Sequence, residues 1–96
     1  MDITPSERQL LIAAHEVKLS ARRDPDRKGP SQEDLRKMAE SLFDDKLLDL
    51  TPAFETLQMR GWLVFNDQEK SYTLAGQGVE LASELDLEFS RENFGE

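Results

Sequence analysis

A chain of 96 residues has room for a single domain built on one small core. It holds no cysteine and no apolar run near the roughly 18 residues of a spanning helix, which excludes a disulfide scaffold, a thiolate zinc site, a cysteine nucleophile and an integral membrane helix. Twelve basic residues against twenty acidic ones give a net charge of -8 and argue against unspecific polyanion binding, and Met1-Asp2-Ile3-Thr4-Pro5 lacks a signal-peptide pattern, so a cytoplasmic protein is expected.

Thr4-Pro5-Ser6-Glu7 reads as a helix start, with Thr4 as cap, Pro5 at the first helical position and Glu7 completing a capping box. Apolar residues at 10, 11, 13, 14, 17 and 21 continue it as a helical stripe ending near Arg23. Asp24 to Pro30 is a loop, because Pro25 and Pro30 interrupt any helix. Ser31 caps a second helix whose first turn carries Glu33 and Asp34; Leu35, Met38, Ala39, Leu42 and Phe43 share one face. Asp44 and Asp45 mark its end or a turn. Thr51-Pro52 starts a short third helix that Gly61 terminates.

The period then changes. Trp62-Leu63-Val64-Phe65 and Ser71-Tyr72-Thr73-Leu74 flank a turn at 66–70 and predict a β-hairpin. Pairing Phe65 with Tyr72 puts Leu63 opposite Leu74, with Trp62 and Val64 on the other face. Gly76-Gln77-Gly78 separates the hairpin from a last helix carrying Val79, Ala82, Leu85 and Phe89, and the tail 91–96 is expected to fray. One core is expected from Leu10, Leu11, Ala14, Leu35, Met38, Leu42, Phe54, Leu57, Leu63, Leu74, Val79 and Leu85.

Three helices, a hairpin and a closing helix form the element order of a winged-helix domain. Leu57-Gln58-Met59-Arg60-Gly61-Trp62-Leu63 resembles the stretch where a recognition helix ends at a glycine and the wing begins. Tyr72-Thr73-Leu74-Ala75-Gly76-Gln77-Gly78 resembles the Tyr-x-Leu-Thr-x-x-Gly that closes the wing in small bacterial regulators of the MarR and PadR kinds. The resemblance implies an α+β winged helix-turn-helix and a DNA-binding transcription regulator. It implies a homodimer joined through the first and last helices. Base contacts then fall to Thr56, Gln58 and Arg60, and phosphate contacts to Arg22, Arg23, Arg27, Lys28, Ser31 and Lys70. Three departures stand out. Ala75 replaces the usual threonine cap, about eight residues separate Phe43 from Pro52 where a tight turn has three or four, and the third helix brings one positive charge.

The same residues carry plainer readings. Asp24, Asp26, Glu33 and Asp34 can neutralise the basic loop as a solvated segment. Gln58 and Arg60 can be ordinary surface residues, and Trp62 either core or an interface anchor. Residues 47–96 hold three basic and ten acidic side chains, and Glu80, Glu84, Asp86, Glu88, Glu92 and Glu96 make the last helix acidic. These features fit the competing class, a winged helix that binds protein and not DNA. No nucleophile with its base, phosphate loop or second metal ligand beside His15 is visible, so no enzyme, cofactor or metal is expected.

Overall fold

The structure, a computed structural model, describes residues 3–21, 29–43 and 49–94. Four helices and one hairpin follow in the order α1 (Pro5–Ala21), α2 (Gln32–Phe43), α3 (Thr51–Met59), β1 (Leu63–Asn66), β2 (Ser71–Leu74) and α4 (Gln77–Phe94). The α+β class and the element order agree with the sequence reading. The end of α1 near Arg23, the basic loop and the Asp44-Asp45 turn lie outside the described residues.

The capping signals act as their chemistry requires. The Thr4 backbone N–H donates to Glu7 Oε1 at 3.0 Å and the Glu7 N–H to Thr4 Oγ1 at 3.2 Å. Ser31 and Asp34 repeat the exchange at the start of α2, at 3.0 and 3.2 Å. Thr51 does not cap α3: the cap position belongs to Leu50, and the Thr51 N–H donates instead to Asp49 Oδ1 at 2.9 Å. The Thr51 hydroxyl receives Arg36 Nη2 at 2.8 Å, which ties α2 to the start of α3. The Thr51 backbone N–H, and next the Thr51 hydroxyl, hold the Asp49 carboxyl below its ordinary pKa.

The hairpin register pairs Leu63 with Leu74 and Phe65 with Tyr72, as the alternation requires. Asn66 Oδ1 accepts the Gln68 N–H at 3.0 Å and the Glu69 N–H at 3.3 Å, and Lys70 takes a positive φ of 53° to close the turn. Trp62 does not share the fate of Val64. It precedes β1 and is 8% exposed, whereas Val64 is 50% exposed.

Gly76-Gln77-Gly78 is more than a spacer, because α4 already includes Gly78. A Cβ on Gly78 would stand 2.5 Å from Trp62 Cβ, so only glycine lets the helix seat against the indole-bearing backbone. The Ala75 N–H donates to Trp62 O at 2.9 Å and the Gly78 N–H to Ala75 O at 3.0 Å. Backbone bonds thus start α4 without the threonine hydroxyl. The helix continues through Phe94, past the point where fraying was expected.

Helix α1 is central. Leu10, Leu11, Ile12 and Ala13 are fully buried, and α1 packs against α2, α3, α4 and β2. Leu10, Leu11, Ala14, Leu35, Phe54, Leu57, Leu63 and Leu74 lie in one core cluster, with Met38, Val79 and Leu85 partly buried against it. Leu42 is half-exposed and outside that cluster. From Leu10 to Val17 the apolar stripe on α1 is thus consumed within the chain's own core. Leu19 on α1 and Leu87 on α4 are the large apolar side chains that those helices expose among the described residues.

Candidate functional site

The expected recognition surface is the outer face of α3 with the adjoining hairpin. Ala53, Phe54 and Leu57 turn inward, which leaves Thr51, Glu55, Gln58 and Met59 exposed on the other side. The Gln58 Nε2 donates to Phe54 O of its own helix at 2.9 Å, so its amide is already engaged. Thr56 is half-buried and donates to Ala53 O at 3.4 Å.

Arg60 sits past the end of α3, with its guanidinium carbon 4.9 Å from the centre of the Trp62 ring. Its Nε lies 3.4 Å from Glu7 Oε2, an oxygen that is buried and receives no hydrogen bond. Burial opposes ionisation of Glu7. The Thr4 backbone N–H, the Thr4 hydroxyl, the Arg60 charge and the Thr56 hydroxyl together outweigh it, and the carboxyl is held below its ordinary value. Arg60 is therefore the counter-ion of a buried capping carboxylate. Lys70 at the turn pairs with Asp67 at 3.0 Å. Ser31 spends its hydroxyl on the start of α2. Arg22, Arg23, Arg27 and Lys28 lie outside the described residues.

While the cations of this face are paired, its apolar atoms are open. Met59 is 86% exposed, Val64 50% and Phe65 38%. Phe65 ends an aromatic ladder that runs outward from the core. The Phe54 and Tyr72 rings are 5.1 Å apart and those of Tyr72 and Phe65 4.9 Å.

A second constellation joins residues that the sequence reading kept apart. His15 Nδ1 and Asp86 Oδ2 are in hydrogen-bond contact across the α1–α4 interface. Asp86 is 3% exposed and therefore leaves the solvated acidic face to which it was assigned. Glu16 meets the same carboxylate. Its hydrogen bond to Asp86 is the main cause that raises the Glu16 carboxyl above its ordinary value; burial and the Asp86 charge add to it, and His15 opposes it. The clue was positional: Asp86 follows Ala82 by four residues and precedes Phe89 by three, on the stripe that packs inward. A His–Asp pair also orients the base in hydrolases, but no described hydroxyl bonds to His15. No cluster able to hold a metal occurs among the described residues.

A cavity of about 170 Å³ lies between α1, Pro30 and β2, and its polar lining residues are Lys18, Tyr72 and Thr73. No described helix is long and apolar enough to cross a membrane. No known protein family, curated protein or solved structure matches the chain.

Proposed function

We propose that this protein is an interaction module of winged-helix type, whose α3 face docks on another protein. The observation that carries this reading is the inversion of the expected chemistry on that face. Arg60 and Lys70 are bound to Glu7 and Asp67, while Met59 is 86% exposed beside the exposed Glu55. Duplex DNA rewards free cations, and its phosphates repel Glu55, Asp67 and Glu69. A protein rewards an exposed apolar anchor with a charged rim. The rim here is acidic, as is the whole chain at -8, so the partner segment presents an apolar side chain flanked by lysine or arginine.

The DNA-binding reading draws its support from Arg22, Arg23, Arg27 and Lys28. Titrating the protein with duplex DNA at low ionic strength separates the two. The docking reading expects no shift at high micromolar protein. A shift whose salt slope falls by about one for each of those four residues replaced by alanine establishes DNA instead. Short peptides selected against the protein should pair an apolar with a basic residue and lose binding to Met59→Asp. Selected peptides indifferent to Met59→Asp would move the site off α3.

A further inference from the structure

The hairpin has two edges, and they are treated differently. The Tyr72 N–H donates outward to Pro30 O at 2.8 Å, so the segment at Pro30 covers the outer side of β2. The Ala75 N–H donates to Trp62 O, which makes Trp62–Ala75 a hydrogen-bonded pair. Antiparallel pairs alternate. Val64–Thr73 and Asn66–Ser71 therefore exchange the bonds inside the hairpin. Leu63 and Phe65 aim their N–H and C=O groups away from β2. Among the described residues nothing bonds to them there.

Proteins usually blunt such an edge with a very short strand, charge, proline or a bulge. Strand β1 is short, at four residues, but carries no charge, proline or bulge. Its register is regular, and Leu63-Val64-Phe65-Asn66 is uncharged in a chain of net charge -8. Half-exposed Val64 and Phe65 border it.

We propose that the open edge of β1 pairs antiparallel with the same edge of a second copy, joining two hairpins into a four-stranded sheet. The occupant follows from self-complementarity. A two-fold axis at Val64 lets Leu63 of each copy exchange both backbone bonds with Phe65 of the other. Val64 then faces its own counterpart as a non-hydrogen-bonded pair, with Cα atoms about 4.5 Å apart. Residues 47–96 hold ten acids against three bases, so two copies repel elsewhere. The uncharged strand is where they can meet. The edge shares Val64 and Phe65 with the apolar face beside α3, so the two readings are separated by variant: Met59→Asp addresses docking on α3 and Val64→Cys the paired edge.

Because the chain has no cysteine, Val64→Cys gives a register-specific probe. Cα atoms about 4.5 Å apart fall within disulfide range. Mild oxidation should convert Val64→Cys into a covalent dimer, whereas Leu87→Cys on exposed α4 should stay monomeric. Sedimentation of the unmodified chain should show a two-fold species, and Val64→Lys should weaken it at least about tenfold by setting two lysines face to face. The urea midpoint of Val64→Lys should remain near that of the parent, since the side chain is half-exposed. A clean monomer at millimolar concentration overturns the proposal. So does a dimer that persists in Val64→Lys or that cross-links equally through Leu87→Cys.

Discussion

Glu7 and Glu16 are carboxylates whose surroundings shift them in opposite directions. Glu7 gains donors and a cation, so its native pKa falls. Its contribution to stability is present above the ordinary glutamate value and is lost as pH drops through the lowered one. Glu16 shares space with Asp86, so its native pKa rises. Its contribution is present below the ordinary value and is lost as pH climbs through the raised one. Glu16→Gln keeps the shape and cannot ionise. Relative to the parent, its thermal midpoint should therefore gain as pH rises from about 4.5 toward neutrality. A difference between the two proteins that stays flat across that range would show that Glu16 carries no such penalty.

At the scale of elements, the entry to the hairpin from α3 and its exit into α4 each depend on a glycine, with different demands. Gly61 has a φ of 76° and open space around it, so its need is conformational. Gly78 has ordinary helical geometry, but a Cβ there would also come 2.7 Å from Trp62 O. Alanine in place of Gly78 gains up to about 1 kcal/mol of helix propensity. Overpacking costs about 1–3 kcal/mol, and the obstacle here is backbone and Cβ, which cannot swing away. Gly78→Ala should therefore be destabilising in urea unfolding, against the direction that propensity predicts. A raised urea midpoint would mean that α4 can slide off Trp62 at little cost. The helices were legible because their caps and stripes are local. The register was legible because Leu63 and Leu74 can share a face in one alignment of the two strands. The role of Gly78 was not, since its reason lies on Trp62, sixteen residues earlier in the chain.

For the whole molecule, the central fact is that α1 is surrounded. Residues from α1, α2, α3, both strands and α4 join one core, and Leu57 lies fully buried within it. Leu57→Ala should cost about 2–5 kcal/mol and lower the urea midpoint of the entire domain in one transition. An unchanged midpoint would detach α3 from the core. The sequence alone showed the helices, the hairpin and its pairing, and the uneven charge. Each follows from neighbours within a few residues or from composition. Only the tertiary structure decided which charges are free. Arg60 and Gln58 look available on a helical wheel, yet Glu7 from α1 claims the first and the carbonyl of Phe54 the second. Asp86 reads as surface until α1 brings His15 and Glu16 against it. Pairing of charges depends on elements distant in the chain, and a local pattern cannot carry that information.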